Sequence, residues 1–150
     1  MNDPLAYHIT WTTYGTWLPG DARGWIKSGE SGIQEPDEKL RQVARSLMTQ
    51  EPVYLNETQR AIVDSTIREV ISYSGWTLHA LNVRTNHIHL VLTAERNPET
   101  VMEQLKAWCS RRLNEHVGTK RKWWTEHGST KWINDESYFA NAVRYVNEGQ

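Results

Sequence analysis

Two histidines separated by a single residue, His87 and His89, form the sharpest chemical pattern in the sequence. They open the stretch HIHLVLT at residues 87–93, whose β-branched and aliphatic content predicts a strand. Because side chains at positions i and i+2 of a strand point to the same face, the two imidazoles project together. Paired neutral imidazoles are ready ligands for a divalent metal ion, although two half-exposed histidines without a ligand role show the same pattern. Two imidazoles hold an ion poorly, and the candidates for a third ligand are Glu148, Gln150, His79 and Asp21.

A tyrosine near the C-terminus, Tyr145, is the second candidate for chemistry. Its neighbours predict a helix over residues 137–148, with Ser137 as the cap and Tyr138 as an alternative reactive phenol. A phenol with a pKa near 10 is a poor nucleophile at neutral pH unless its target is polarised. A metal ion beside the phenol would supply that polarisation, whereas an isolated helical tyrosine more often serves only in packing.

A basic and aromatic segment lies in the last third of the chain. Residues 1–99 carry 9 Lys/Arg against 12 Asp/Glu, a net of -3, and residues 100–150 carry 8 against 6, a net of +2. The total of -1 excludes a protein that is basic overall, so any nucleic-acid contact is expected on one face. Cations beside flat rings suit single-stranded nucleic acid, but a solvated loop anchored by tryptophans has the same composition. The expected phosphate contacts are Arg111, Arg112, Lys120, Arg121 and Lys122, and the expected stacking rings are Trp17, Trp123 and Trp124.

The elements that must position these residues follow from hydrophobic periodicity and turn residues. Strands are predicted over residues 7–14, 76–83, 87–93 and 132–133, and a long glycine-rich loop over 18–35. Helices are predicted over 37–49, from the cap Asn56 to Gly75, from Pro98 onward with Trp108 and Cys109 on its core face, and over 137–148. This order predicts an α+β fold: a ferredoxin-like antiparallel sheet (βαββαβ) with helices packed on it and a late helix that carries Tyr145.

Length and composition set the class of protein. The 150 residues suit a single domain over 1–150, and 38% hydrophobic with 23% charged residues excludes a disordered chain. One cysteine cannot form an intramolecular disulfide. The start of the chain has no secretory signal pattern, and no apolar stretch reaches the roughly 20 residues of a membrane helix. We therefore expect a cytoplasmic protein, associated with the nucleoid if it binds DNA.

Three stretches together resemble a known family. Residues 85–91 (TNHIHLV) resemble the HUH motif, His-hydrophobic-His, of single-tyrosine transposases. Residues 13–21 (TYGTWLPGD) and 124–130 (WTEHGST) resemble the REP-associated tyrosine transposase branch of that family. With the placed tyrosine, the resemblance runs from about residue 7 to residue 150.

The resemblance implies a metal-dependent enzyme that cuts and rejoins single-stranded DNA, with DNA hairpins as substrates. His87 and His89 would match the metal ligands for Mg²⁺ or Mn²⁺, and Tyr145 would match the nucleophile that forms a 5′-phosphotyrosine link. Members often supply a third ligand four residues after the tyrosine, where this sequence has Gly149. Likeness to the family favours Gln150 as that ligand, and helix geometry favours Glu148.

Two other functions compete with DNA cleavage and joining. A relative that binds structured DNA or RNA without cutting is one, and a metal-dependent phosphodiesterase that uses water instead of Tyr145 is the other. Family members place the tyrosine helix on their own subunit or on a partner's, so a homodimer is an alternative to a monomer.

Overall fold

The computed structural model describes residues 4–16, 25–26 and 33–148. The strands and helices follow the predicted order, with two additional short strands within the predicted loop. They are β1 (Ala6–Thr12), β2 (Trp25–Ile26), β3 (Ile33–Gln34), α1 (Glu38–Ser46), α2 (Glu57–Ser74), β4 (Thr77–Val83), β5 (His87–Thr93), α3 (Pro98–Val117), β6 (Ser129–Ile133) and α4 (Glu136–Asn147).

The main sheet has four antiparallel strands in the order β4-β5-β1-β6. The central strand β1 pairs with β5 on one side and with β6 on the other, although about 80 and 120 residues separate them in the chain. With α2 and α3 as the two helices between strands, this is the βαββαβ arrangement. The predicted α+β, ferredoxin-like fold is therefore confirmed.

The two faces of the sheet have different coverings. Ile9, Ile88 and Leu90 point to the face packed against α2 and α3, where the larger hydrophobic core lies. The alternate residues of the same strands point to the other face, because successive side chains of a strand alternate. There, Ala6 and Val91 form a smaller core with α4. The paired histidines belong to this second face, so the tyrosine helix is the element that covers them.

Local capping explains the bounds of three helices. Asn56 and Gln59 form the predicted capping box of α2, and Gly75 ends that helix with a φ of +76° that favours glycine. Pro98 opens α3 as predicted. The cap of α4 is Asp135 and not Ser137, because the Asp135 carboxylate accepts the backbone N–H of Tyr138 at 2.8 Å. No helix of the described residues is long and apolar enough to cross a membrane.

The structure corrects the packing predicted for Trp108 and part of the loop predicted over residues 18–35. Trp108 does not belong to the core face of α3, because it is 36% exposed and its ring faces the guanidinium of Arg111 at 4.7 Å. Within the loop predicted over 18–35, Trp25–Ile26 and Ile33–Gln34 pair as short antiparallel strands, and most of the remaining loop lies outside the described residues. The last strand is longer than the predicted residues 132–133.

Candidate catalytic pocket

A pocket of about 530 Å³ opens between α4 and the second face of the sheet. Strand pairing explains its composition. Thr10 of β1 lies opposite His89 on one side and Ser129 on the other, and His8 lies opposite Val91 and Lys131. The residues that line the pocket are His8, Thr10, His87, His89, Ser129, Lys131, Tyr138, Asn141, Ala142 and Tyr145.

The two histidines of the motif share this pocket, as the strand pattern predicts. Their ring centres are 5.1 Å apart. The Nδ1 of His87 lies 3.0 Å from the side-chain oxygen of Asn86, so an N–H there donates to Asn86 and leaves Nε2 with a lone pair. His89 is 1% exposed, and within the described part of the chain its Nε2 has no hydrogen-bond partner. A buried imidazole nitrogen without a partner suits a metal ligand, because such a group is costly to leave unpaired.

Both imidazoles of this pair are held neutral. Burial, with added repulsion from the charges of His87, His8 and Arg84, lowers the pKa of His89 to about 4. Burial and the charge of Arg84 also lower the pKa of His87. Only a neutral imidazole coordinates a metal ion, so both rings stand ready as ligands at neutral pH.

Tyr145 projects from α4 into the same pocket. Its ring centre lies 5.8 Å from that of His89, and the side chain is 49% exposed, which leaves it accessible to a substrate. Ala142 and Val146, on the buried face of α4, hold the helix on the sheet. Asn82 lies on β4, opposite His89 of β5. Its side-chain amide donates to the carbonyl of Val146 at 3.0 Å. The end of the tyrosine helix is thereby tied to the strand beside the histidine pair.

Sequence reasoning missed a third histidine in this pocket. The ring centre of His8 lies 6.0 Å from that of Tyr145 and 6.4 Å from that of His89. Burial and the neighbouring charge of Lys131 lower the pKa of His8. Alternation along β1 shows that His8 and Thr10 share a face. The neighbours across that face depend on a pairing with β5 that a single sequence does not reveal.

The donor set of the pocket fits a divalent ion in part. Two imidazole nitrogens face it, but among residues 4–16, 25–26 and 33–148 no three His, Cys, Asp or Glu side chains are placed to hold an ion together. The predicted ligand Gln150 and the alternative Asp21 lie outside the described residues. Glu148 is exposed at the end of α4. His79 is engaged elsewhere, since its Nε2 lies 2.7 Å from the hydroxyl of Thr93 and its ring packs on Phe139.

The aromatic residues of the basic segment serve different purposes. Trp123 is 2% exposed and donates its indole N–H to the Asn114 side chain at 2.8 Å, so the prediction that it offers a stacking face is wrong. Trp124 is half-buried, packs edge-on against Trp11, and donates its indole N–H to the carbonyl of Lys106. Trp17 lies outside the described residues.

The cations predicted to contact phosphate lie away from the catalytic pocket, on and after α3. Arg121 and Lys122 line a second cleft of about 500 Å³ between α3 and the segment 121–127. Arg111 and Lys120 are exposed. Arg112 pairs with the carboxylate of Glu69 at 3.2 Å, which offsets part of its charge.

A buried lysine supports the wall of this second cleft. The ammonium of Lys106 donates to the backbone carbonyls of Thr125 at 3.0 Å and of His127 at 3.1 Å. Burial lowers the pKa of this lysine, although the carboxylates of Glu103 and Glu126 act to raise it. The two hydrogen bonds hold the segment that leads into β6, and thus connect the cleft to the strand beside the catalytic pocket.

Comparison with known proteins provides a family and a fold. The model of the family described as "Transposase IS200 like" matches residues 42–149. No curated protein matches the chain. A REP-associated tyrosine transposase bound to a REP hairpin has a similar structure, with a TM-score of 0.55 and 12% identity over 97% of this chain and 68% of that one. A crystal structure assigned to a transposase of Deinococcus radiodurans has a TM-score of 0.49 and 16% identity over 99% of this chain and 92% of that one.

Proposed function

The chain belongs to the IS200-like transposase family, and we propose that it cleaves and rejoins single-stranded DNA through a covalent bond to Tyr145. One observation carries this proposal: an accessible tyrosine and two neutral imidazoles meet in one pocket, with 5.8 Å between the ring centres of Tyr145 and His89. On this reading, residues 1–150 act as a single catalytic domain.

The chemical step joins the phenol oxygen of Tyr145 to the phosphorus of a phosphodiester. The bond between that phosphorus and the 3′-oxygen of the preceding nucleotide breaks, and the phenol loses its proton. The 3′-oxygen takes up a proton, so the products are a 5′-phosphotyrosine and a free 3′-hydroxyl. Because the covalent link conserves the energy of the broken bond, the reverse step rejoins DNA without another energy source.

His87 and His89 would hold a divalent ion, Mg²⁺ or Mn²⁺, at the phosphate to be cut. When bound, such an ion would polarise the phosphate and offset the charge that develops in the transition state. The side chains of this chain do the positioning: Asn86 orients His87, and Asn82 with the packing of α4 holds Tyr145 beside the pair. Gln150, or Glu148 in its place, remains the prediction for a third ligand.

The DNA substrate is proposed to be a single strand next to a hairpin. Support comes from the family and from the structural neighbour, which is bound to a REP hairpin. The second cleft and the exposed cations near it offer a surface for the phosphates, and Trp124 and Trp17 are the proposed rings at which a base could stack. The proposed phosphate contacts are Arg111, Arg112, Lys120, Arg121 and Lys122. Such a protein would work in the cytoplasm, at the nucleoid.

A covalent adduct tests the proposal. The wild-type protein, a labelled hairpin oligonucleotide with a single-stranded flank, and Mn²⁺ should give a protein–DNA band that survives a denaturing gel. Tyr145→Phe and His89→Ala should abolish the band, and chelation by EDTA should prevent it. Tyr73→Phe is the matched control, because Tyr73 is 93% exposed on α2, outside the pocket.

Each other outcome would indicate a different nucleophile or one of the two competing functions. An adduct that persists in Tyr145→Phe and disappears in Tyr138→Phe would transfer the nucleophile to Tyr138, which also lines the pocket. Cleavage that survives Tyr145→Phe without any adduct would indicate hydrolysis by water. Hairpin binding in EDTA with no adduct in any metal would indicate a binding module that does not cut.

A further inference from the structure

The third histidine of the catalytic pocket has no role in the step described above. His8 lies on β1, next to β5, and its Nε2 is buried without a hydrogen-bond partner in the described part of the chain. Few buried polar atoms stay unpaired in folded proteins, and each one calls for a partner. A partner for this nitrogen would have to come from a polar side chain of the pocket that packs beside the His8 ring.

Tyr145 is that side chain. Its ring meets the His8 ring edge-on, with 6.0 Å between the centres and 67° between the planes. A hydrogen bond between the two requires the phenol oxygen within about 2.8 Å of the imidazole nitrogen, and a change in the orientation of the tyrosine side chain would have to supply that approach. An imidazole nitrogen can donate to a hydroxyl or accept from it, so the pair is chemically matched.

Within the pocket, His8 lies apart from the pair formed by His87 and His89. The His87 and His89 rings are 5.1 Å apart, a spacing at which both would be able to bind one ion. His8 is 6.4 Å from His89, and the three do not form a group that could hold an ion together. His8 therefore lies beside Tyr145 but outside the ligand pair.

We propose that His8 is a positioning residue, which hydrogen-bonds the hydroxyl of Tyr145 and holds the phenol oxygen toward a phosphate at the His87–His89 pair. A half-exposed tyrosine would otherwise sample several side-chain orientations. Fixing one orientation raises the rate, because a displacement of about 1 Å from the reactive geometry can cost about 100-fold. The inference rests on the proposed function for its effect on rate, but the contact itself does not depend on it.

Two variants of one residue separate a hydrogen bond from simple packing. His8→Leu keeps the volume and removes the polar atom, whereas His8→Gln keeps a polar group near the position of Nε2. We expect His8→Leu to slow adduct formation about 10- to 100-fold and His8→Gln to restore most of the rate. The affinities for DNA and for Mn²⁺ should stay unchanged in both. His116→Leu, at the exposed end of α3, is the control for the loss of a histidine.

A readout without turnover keeps the test independent of DNA cleavage. With 3-fluorotyrosine at position 145, the wild-type protein and His8→Gln should give one narrow ¹⁹F resonance, and His8→Leu a broadened or split one. If the wild type forms no adduct but the ¹⁹F pattern holds, the proposed function fails and the His8 contact stands. An unchanged ¹⁹F line together with an unchanged rate in His8→Leu overturns the contact. Weaker Mn²⁺ binding in His8→Leu would make His8 a metal ligand and overturn the positioning role.

Discussion

Because His89 is buried, we expect acid to lower the free energy of unfolding of the protein. Replacing His89 should remove this part of the pH dependence. The pKa of this imidazole is about 4 in the folded chain, against an ordinary value of 6.5 in the unfolded chain. Above pH 6.5 both states are neutral and the folded state keeps its full stability. As the pH falls toward 4, His89 binds a proton in the unfolded chain but not in the folded chain, so the free energy of unfolding decreases.

The size of the effect follows from the two pKa values. Each pH unit between 6.5 and about 4 lowers the free energy of unfolding by about 1.4 kcal/mol, which sums to about 3 kcal/mol for His89. Because His89 is 1% exposed, solvent screens this cost little. His89→Gln removes the titrating group, and its stability should therefore decline less steeply with acid than that of the wild type.

Urea denaturation measures this difference. The free energy of unfolding is read from tryptophan fluorescence at pH 7.5, 6.5, 5.5 and 4.5, in EDTA, for the wild type, His89→Gln and the control His116→Gln. We expect the gap between wild type and His89→Gln to change by about 2–3 kcal/mol over this range in favour of the variant, and the control to follow the wild type. Parallel pH profiles for all three proteins would refute the reasoning, because they would show that His89 is as easily protonated in the folded chain as in the unfolded one.

Three further predictions concern the tyrosine helix, the second cleft and the core. Mixing His89→Ala with Tyr145→Phe should not restore the covalent adduct, because α4 packs on its own sheet; a restored adduct would indicate a homodimer that exchanges its tyrosine helices. Replacing Arg121 and Lys122 with alanine should reduce the slope of log Kd for single-stranded DNA against log salt by about 1.4, since each phosphate contact contributes about 0.7; an unchanged slope would place the DNA elsewhere. Trp123→Ala should lower the free energy of unfolding by about 3–5 kcal/mol, as expected for a buried ring, and a loss below 1 kcal/mol in urea denaturation would contradict its role in the core.

Much of the fold could be predicted from local sequence patterns. The capping box of Asn56 and Gln59, the opening of α3 at Pro98 and the strand of the paired histidines all depend on residues a few positions apart. The same short range explains why the two imidazoles share one face, since this follows from alternation within β5 alone. The α4 cap shows the limit, because Asp135 and Ser137 are both good caps and only the structure shows which one accepts the hydrogen bond.

The tertiary structure decided what the sequence left open. His8 reaches Tyr145 only because β1 pairs with β5, across about 80 residues of chain, and α4 then covers that face. Trp123 and Trp124 are adjacent in a polar segment, yet one is buried and the other half-buried, since Asn114 and Lys106 of α3 accept their indole hydrogens. Sequence periodicity reports which side of an element is apolar. Which elements meet depends on packing between distant segments, and that packing assembled the pocket.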